Sequence, residues 1–362
     1  MNPHQKGRGA QAHHDNPFER LSHTQRDDFL EYCRLNEEQA ESSNTVFVPV
    51  FPKTLVNRVK SPDLSMAYSL NPYQGCEHGC VYCYARNTHN YWGMDASLDF
   101  EKRILIKKQA PELLRKHLQK KSWEPSAIML SGNTDAYQPA EKRFKLSRKC
   151  LQVFLEHQHP VGIITKNALL LRDLDLLKPL AEKELVSVYI SLTTLHEPTR
   201  RLLEPRTASV QKRLKAIKQL SEAGVPVRVM IAPIIPALNS SEILGIAEAA
   251  ADHGALEMGF SLVRLNGGIG AIFEEWVKSA LPEKADRILS QIKACHGGKL
   301  NESRFGLRQT GQGPVAQQIQ QMARLARRRF FPDAPKTVLR KDLFIRFPSD
   351  SSAPSTQLSL FE

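Results

Sequence analysis

Short apolar runs alternate with amphipathic helical segments through most of this chain, and this alternation limits the folds that it can adopt. The apolar runs have strand length, and they cover residues 127–130, 161–165, 186–192, 227–231 and 258–263. Segments with apolar residues at three- and four-residue spacing cover residues 110–121, 141–157, 167–183, 210–223 and 241–253. Strands that are separated by helices pair in parallel through right-handed crossovers. We therefore predict an α/β fold, a partial (β/α)6-type barrel whose active site lies at the carboxyl ends of its strands.

The two ends of the chain fall outside this alternation. Residues 1–44 contain too few aliphatic side chains to offset the entropy of ordering them, so we predict a flexible N-terminal leader with a short helix around residues 27–35. The barrel domain is predicted to span residues 45–297, and residues 298–347 form a basic C-terminal extension. Residues 348–362 are predicted to be a flexible tail, a Ser/Pro linker that ends in a short apolar peptide.

The charge of the chain indicates a polyanionic partner. It carries 50 Lys and Arg against 38 Asp and Glu, a formal net charge of +12, which raises the concentration of nucleic acid near the protein. The basic residues are concentrated in groups, namely Lys102, Arg103, Lys107 and Lys108; Lys142, Arg143, Lys145, Arg148 and Lys149; Arg324, Arg327, Arg328 and Arg329; and Arg340 with Lys341. Such groups neutralise phosphates, although they also occur as solvated helix faces. We expect nucleic-acid contact above all at residues 324–341.

The cysteines and the apolar runs indicate the compartment. Three of the six cysteines lie within eight residues, whereas Cys33, Cys150 and Cys295 stand alone, which differs from the disulfide framework of a small secreted domain. No apolar run approaches membrane-spanning length, and residues 1–16 lack the apolar core of a signal peptide. We therefore expect a cytoplasmic protein with reduced thiols and no membrane association, in which the lone cysteines are structural.

The cysteine loop, which we define as residues 71–84, contains Cys76, Cys80 and Cys83 in the spacing Cys-x3-Cys-x2-Cys. Two glycines in the loop permit the backbone turns that bring the three sulfurs together. A cubane iron–sulfur cluster has four irons, so three thiolates leave one iron with an open coordination position. The spacing therefore indicates a cluster that can bind a further ligand.

Two alternatives to a cluster exist for these cysteines. One is a structural zinc site completed by His78 or His89, and the other is a set of thiols that only fill the core. The spacing favours the cluster over zinc, because structural zinc sites more often use paired Cys-x2-Cys or Cys-x4-Cys hooks.

The cysteine spacing, with the aromatic Tyr82 just before the last cysteine, resembles the motif of the radical S-adenosylmethionine (SAM) superfamily. Within it, the chain is most similar to the branch that contains spore photoproduct lyase and the proteins loosely called DNA repair photolyases. The resemblance spans roughly residues 45–297 and rests also on residues 132–141, 165–167 and 203–209. It implies a [4Fe–4S] cluster on the three cysteines and SAM on the open iron, with reductive cleavage of SAM to a 5′-deoxyadenosyl radical. It also implies flavodoxin or ferredoxin as the electron donor.

Polar residues at the predicted strand ends are the candidates for binding SAM. Together with the aromatic residue of the cysteine loop, they are Tyr82, Asn133, Thr134, Asp135, Lys166 and Ser191. The alternative for the 133–135 segment is a strand-to-helix turn with a helix cap, and the alternative for Lys166 is a lysine that extends to the surface. Tyr82 has core packing as its alternative. Two roles stay open for Glu204 and Arg206, an ion pair on their loop or a contact with the SAM carboxylate.

We expect a radical SAM enzyme that acts on nucleic acid in DNA repair or modification, with its catalytic residues unassigned. The alternatives are a radical SAM enzyme with a protein or small-molecule substrate, and a non-catalytic metal-containing module that binds nucleic acid.

The comparison with spore photoproduct lyase also limits the reactions that we expect. Spore photoproduct lyase donates a hydrogen atom from a cysteine near its SAM site, yet residues 128–141, the most similar region, contain no cysteine and have Gly132 and Asn133 there. We therefore expect a reaction without that thiol relay.

The C-terminal peptide Gln357-Leu358-Ser359-Leu360-Phe361 resembles the pentapeptide by which bacterial DNA polymerases and repair proteins bind the DNA sliding clamp. In this interpretation Leu358, Leu360 and Phe361 form the apolar side of the contact and Gln357 donates or accepts a hydrogen bond at its rim. The alternatives are a frayed hydrophobic end or a last strand packed on the barrel, because five-residue motifs recur by chance. Two large apolar side chains behind a polar linker favour a partner surface.

Overall fold

The computed structural model describes residues 7–11, 45–64, 66–334 and 338–347. The strands are β1 (Val46–Pro49), β2 (Val56–Arg58), β3 (Tyr68–Leu70), β4 (Tyr73–Gln74), β5 (Arg103–Ile106), β6 (Ile128–Leu130), β7 (Val161–Thr165), β8 (Val186–Ser191), β9 (Val227–Ile234) and β10 (Met258–Leu262). The α-helices are α1 (Leu98–Lys102), α2 (Ala110–Leu118), α3 (Ala140–Phe144), α4 (Leu146–Glu156), α5 (Leu174–Glu182), α6 (Glu197–Leu203), α7 (Val210–Glu222), α8 (Ile243–Asp252), α9 (Ile269–Ala280), α10 (Pro282–Cys295) and α11 (Gly313–Phe330). Short 3-10 helices cover Tyr84–Thr88, Asn90–Trp92, Ala168–Asp173 and Ser240–Glu242.

The main sheet has the strand order β10-β9-β8-β7-β6-β3-β2. The strands from β3 to β10 in this sheet run parallel, and β2 joins antiparallel beside β3 at one edge. The parallel strands follow one another in chain order with helices between them, as right-handed crossovers produce. The predicted α/β fold with a partial barrel is confirmed, and the cysteine loop follows the carboxyl end of its first parallel strand, β3.

Two predicted helices are interrupted, so the expectation of continuous helices there was wrong. Residues 141–157 form α3 and α4, which are separated by Lys145 in the left-handed region with φ 52°. The buried Glu141 carboxylate accepts the backbone N–H of Ser147 at 2.9 Å and that of Arg148 at 3.2 Å, which caps α4 and favours the break. In the 167–183 segment the first turns are 3-10, and the α-helix begins at Leu174.

A second, smaller sheet was not predicted from the sequence. Its order is β1-β5-β4, with β1 parallel and β4 antiparallel to β5. The sheet ends at Gln74, two residues before Cys76, so it fixes the start of the cysteine loop.

The main core lies between the parallel sheet and its helices, and it includes residues of the basic C-terminal extension, residues 298–347. Helix α11 contributes Ala316, Ile319, Ala323 and Ala326 to this core, each almost fully buried. The helix packs against α8 and α10. None of the helices in the described ranges is both long and apolar enough to cross a membrane.

Residues 338–347 pack on the opposite end of the sheet from the cysteine loop. The backbone N–H of Ile345 donates to the carbonyl oxygen of His157 at 2.9 Å, and that of Arg340 donates to Glu184 at 3.0 Å. Arg346 donates to the carbonyl oxygen of Trp123 at 3.0 Å. These three acceptors belong to the connections that enter β6, β7 and β8, so this segment covers the amino ends of the parallel strands.

Candidate radical SAM site

The cysteine loop makes two turns that require glycine. Gly75 has φ 81° and Gly79 has φ 68°, both in the left-handed region. A Cβ atom at Gly75 would lie 2.9 Å from the His89 ring and 3.0 Å from the carbonyl oxygens of Phe100 and Arg103. The loop is therefore bent tightly against α1 and β5, as the sequence predicted for a loop that gathers three thiols.

The three cysteines occupy the inner side of this loop. Cys76 and Cys80 are each 7% exposed, and Cys83 is half-buried. Cys83 packs with both of the other two, in separate apolar groups. Burial raises the pKa of the Cys76 thiol, with further contributions from the nearby Asp135 carboxylate and the other thiols. Burial likewise raises the pKa of Cys80, together with the charge of Glu204. Metal binding at these thiols therefore has to displace protons.

Gln138 holds the backbone of the cysteine loop from the side. The side chain is fully buried; its Nε2 donates to the carbonyl oxygen of Gly75 at 3.0 Å, and its Oε1 accepts the backbone N–H of Glu77 at 3.0 Å. The two bonds flank Cys76 and fix the peptide groups on either side of it. The sequence prediction included this residue in a similar segment but gave it no role.

The predicted SAM-binding residues Asn133 and Thr134 contact the same loop. The Asn71 side-chain oxygen accepts the backbone N–H of Asn133 at 3.0 Å and that of Thr134 at 3.3 Å. The Thr134 hydroxyl donates to the carbonyl oxygen of Tyr73 at 2.9 Å. These groups thus fasten the end of β6 to the start of the cysteine loop, and a direct contact with SAM stays a prediction.

Asp135 connects the cysteine loop to the end of β7. Its carboxylate lies 3.4 Å from His78 Nδ1 and accepts the Thr165 hydroxyl and the Lys166 backbone N–H, both at 2.7 Å. Burial alone would raise the pKa of Asp135, but His78 and these hydrogen bonds lower it to about 2. Asp135 is therefore a charged group within the site, and its described contacts are with protein groups.

Lys166 and Tyr82 lie next to each other at the site. The Lys166 ammonium is 5.9 Å from the centre of the Tyr82 ring. Burial opposes the charge of Lys166, yet the thiol of Cys80 and the carboxylates of Glu204 and Asp135 outweigh it and raise the lysine pKa. Lys166 directly follows β7, so it meets Tyr82 of the cysteine loop at the carboxyl end of that strand.

Glu204 and Arg213 form a buried ion pair that the sequence prediction missed, and this pair contacts Tyr82. Glu204 accepts the Tyr82 hydroxyl, the Thr193 hydroxyl at 2.9 Å and a guanidinium hydrogen bond from Arg213. Burial would raise the pKa of Glu204, but Arg213 and Lys166 lower it to about 2. Arg213 lies on the buried face of α7 with Val210 and Ile217, but the spacing of that helix did not identify Glu204 as its partner.

The same pair defines the place of Ser191. It also bears on one of the two roles left open for Glu204 and Arg206, while a contact with the SAM carboxylate stays a prediction. Arg213 also donates to the carbonyl oxygen of Ser191 at 2.9 Å, so this predicted site residue is joined to the pair through its backbone. The ion pair between Glu204 and Arg206 does not form, because Arg206 instead lies 3.2 Å from the carboxylate of Glu77 in the cysteine loop.

Comparison with known sequences identifies the family. The radical SAM superfamily matches residues 70–250, which include the whole cysteine loop and the strands from β6 to β9. This chain belongs to the radical SAM superfamily. An uncharacterised protein of Mycobacterium bovis is 34% identical over 247 residues, covering 67% of this chain and 72% of the relative. An uncharacterised protein of Methanocaldococcus jannaschii is 32% identical over 209 residues, covering 56% of this chain and 73% of the relative.

Solved structures share the same radical SAM fold. A spore photoproduct lyase mutant with bound AdoMet and dinucleoside spore photoproduct superposes with a TM-score of 0.59 at 18% identity, covering 79% of this chain and 80% of that one. Spore photoproduct lyase complexed with dinucleoside spore photoproduct gives a TM-score of 0.57 at 17% identity over the same shares. At these identities the likeness concerns the fold.

Radical SAM proteins use a [4Fe–4S] cluster and SAM, and the residues of this site fit the cluster. Three thiols on one loop, two of them buried and one half-buried, can coordinate three of its four irons and leave the fourth iron for SAM. Within the described ranges, no three Cys, His, Asp or Glu side chains converge as the ligands of a single ion would. Thiolates around a cubane bind different irons and need not converge in that way.

Among the described residues, neither histidine that could complete a zinc site converges with the cysteines as the ligands of a single ion would. His78 lies between Asp135 and the Asn167 side chain, with its Nε2 3.4 Å from Asn167 Nδ2. His89 Nε2 lies 2.9 Å from the carbonyl oxygen of Arg103. The geometry therefore favours the cluster over a zinc site completed by either histidine.

Many side chains in the predicted basic groups are engaged within the protein. Lys107 donates to the carbonyl oxygen of Asn71 at 2.9 Å, and burial lowers its pKa to about 8. Arg148 pairs with Asp173 and Asp175, and Arg327 donates to the carbonyl oxygen at Met258. Met258 begins β10, so the group at residues 324–329 lies toward the amino ends of the strands. This group therefore lies at the end of the sheet opposite the cysteines.

Proposed function

We propose that this radical SAM enzyme acts on nucleic acid, in a DNA repair or modification reaction. The observation that carries the proposal is a set of exposed aromatic side chains directly after the last cysteine. Tyr84 is 55%, Tyr91 78% and Trp92 43% exposed, and they lie on the two 3-10 helices that follow Cys83. Exposed aromatic rings on a basic protein are the platform on which unpaired bases stack.

The position of these rings suits a substrate that must reach the site. When bound, the cluster and SAM supply a 5′-deoxyadenosyl radical that removes a hydrogen atom from the substrate. The chain has to orient the target and exclude water at the carboxyl ends of the strands. A base stacked on Tyr84, whose hydroxyl donates to the carbonyl oxygen of Gly132, would lie beside both the cysteine loop and the end of β6.

The net charge of +12 supports the same substrate, because it favours the approach of a polyanion over that of a neutral metabolite. The fold is shared with a lyase whose structure contains a dinucleoside spore photoproduct. A lyase-like reaction on DNA is therefore among the reactions that we propose. We expect flavodoxin or ferredoxin to supply the electron.

The reaction we propose does not use the thiol relay of the lyase. Residues 128–141, which contain β6 and its connection to α3, have no cysteine. Cys150 and Cys295 are buried in the main core, and burial raises the pKa of both thiols, that of Cys295 to about 11. Reversal of a thymine dimer that depended on either thiol would contradict this part of the proposal.

The test compares SAM cleavage with and without DNA. The protein is reconstituted with iron and sulfide without oxygen, reduced, and incubated with SAM and single-stranded or irradiated duplex DNA, and 5′-deoxyadenosine is quantified. We expect DNA to increase its formation and Trp92→Ala or Tyr91→Ala to weaken DNA binding by about tenfold, the effect of one lost stacking contact.

Phe347→Ala is the matched control, because Phe347 is 65% exposed but follows Arg346 at the amino ends of the strands. This variant should bind DNA as the wild type does. Equal 5′-deoxyadenosine formation with and without DNA, or stimulation by a protein or metabolite fraction instead, would refute the nucleic-acid substrate while leaving the radical SAM assignment intact.

A further inference from the structure

The short segment Gly7–Gln11, within the predicted flexible leader, is packed against the cysteine loop. Gly9 is buried and Ala10 is 2% exposed, whereas we predicted a leader without fixed contacts. The difference has a physical reason, because the segment is bound by backbone hydrogen bonds, which an apolar count of the sequence does not detect. We call residues 7–11 the N-terminal clasp.

The clasp reaches a cluster ligand through two buried side chains. The backbone N–H groups of Gly9 and Ala10 donate to the Glu101 carboxylate at 3.0 and 2.8 Å. Glu101 is fully buried and forms an ion pair of 2.5 Å with Arg86, which is also fully buried. Arg86 donates twice, at 2.8 and 3.0 Å, to the carbonyl oxygen of Cys80. The clasp is thus three contacts away from the backbone of a cysteine that binds iron.

A second chain of contacts reaches the other side of the loop. Arg8 donates to the backbone oxygen of Glu101 at 2.7 Å and to the Thr45 hydroxyl at 3.1 Å. The Thr45 hydroxyl donates to the carboxylate of Glu77 at 3.0 Å, and Glu77 directly follows Cys76. The clasp therefore supports the loop both at its first cysteine and at its second.

The fit between the clasp and the loop leaves no room for a side chain. A Cβ atom at Gly9 would lie 1.8 Å from the carbonyl oxygen of Gly79 and 2.9 Å from the Val81 side chain. Glycine at this position allows two backbones to touch directly. Without the clasp, the buried Glu101 carboxylate would lose two of its hydrogen-bond donors beside its ion pair with Arg86.

We propose that the N-terminal clasp is part of the cluster site. Its residues are positioning residues that hold the backbone at Cys80 and cover the cysteine loop, and so they slow the loss of iron from the bound cluster. The inference goes beyond the proposed function, because it rests on membership of the radical SAM superfamily and on this geometry, and it is independent of the substrate.

The test uses Gly9→Ala in the full-length protein, with Gly245→Ala as the matched control. A Cβ at Gly245 would lie 3.6 Å from Leu195, an ordinary contact in helix α8. Both variants are reconstituted without oxygen, and the release of iron to a chelator is followed by absorbance. We expect Gly9→Ala to release iron on the order of tenfold faster, as for other residues that support metal ligands, and Gly245→Ala to match the wild type.

Two further measurements separate positioning from general stability. The g-values of the reduced cluster with SAM should change in Gly9→Ala, and the circular dichroism of the metal-free variant should stay native. If Gly9→Ala does not fold, Arg8→Gln takes its place, because it removes two donors without adding bulk against Gly79. Iron release at the wild-type rate with unchanged g-values, in whichever of the two variants folds, would overturn the proposal.

Discussion

Gln138 is a single buried side chain that determines the geometry on both sides of Cys76. We predict that Gln138→Glu lowers the affinity of the metal-free protein for iron by about tenfold, because the change removes the donor to Gly75 and adds a negative charge beside the thiolates. The measurement is iron and sulfide bound per chain during anaerobic titration. Gln318→Glu, on the exposed face of α11, is the control and should bind iron normally. Equal affinities in the two variants would contradict the role given to Gln138.

At the residue scale, the sequence predicted the metal ligands but not the groups that hold them. The spacing of three cysteines that are close together in the sequence is enough to indicate them as candidate cluster ligands. Gln138 contacts Gly75, 63 positions away, and Glu101 contacts Gly9, 92 positions away, so no local pattern marks these pairs. Arg213 and its partner Glu204 are 9 positions apart on different elements. The N-terminal clasp is bound by hydrogen bonds from its backbone and from the Arg8 side chain, which an apolar count cannot reveal.

At the scale of elements, helix α7 is joined to the cysteine loop through the buried pair of Arg213 and Glu204. We predict that Arg213→Met lowers the free energy of unfolding by about 3–5 kcal/mol, because it leaves the Glu204 carboxylate buried without its partner. Urea unfolding of the metal-free protein measures this. Adding Glu204→Gln to Arg213→Met should recover much of the loss, since it removes the unpaired charge.

An exposed ion pair provides the matched comparison for the buried one. Arg115 and Glu156 are 39% and 44% exposed, so Arg115→Met should change the free energy of unfolding by about 0–1 kcal/mol. A loss in Arg213→Met no larger than that in Arg115→Met would show that the buried pair does not fasten α7 to the site.

The same scale shows why the parallel sheet was predictable and the smaller sheet was not. Strands β6 to β10 are buried runs separated by helices, a pattern that the sequence displays directly. The sheet of β1, β5 and β4 has strands of two to four residues that pair across more than 30 positions of chain. Lys145 likewise breaks a regular helical pattern, because the hydroxyl of the distant Tyr73 and the carboxylate of Glu141 accept backbone N–H groups at the start of α4.

At the scale of the whole molecule, the described chain ends at the amino ends of the parallel strands, opposite the cysteines. Arg346 and Ile345 fasten this segment, and Gln357 to Phe361 lie outside the described residues. The apolar residues of α11 stand at helical spacing, which indicates a packed helix. The many Gln and Arg residues between them make this pattern weak in the sequence.

We predict that a labelled peptide of residues 354–362 binds the bacterial DNA sliding clamp with a Kd on the order of micromolar. Leu360→Ala and Phe361→Ala should each remove most of the binding, because these side chains supply the apolar contact. Fluorescence anisotropy with purified clamp measures it. Absence of binding at tens of micromolar, or binding that neither substitution changes, would remove the clamp from the account.

The central claim is that Cys76, Cys80 and Cys83 hold a [4Fe–4S] cluster at which SAM is cleaved. Its most direct test is the formation of 5′-deoxyadenosine by the reconstituted, reduced protein with SAM, measured beside iron and sulfide content. The wild type should bind about four irons and four sulfides per chain and form 5′-deoxyadenosine. The variant with all three cysteines changed to Ala should stay folded, bind no cluster and form none. Stoichiometric iron and sulfide in the triple variant, or a wild-type cluster that does not cleave SAM, would contradict the account.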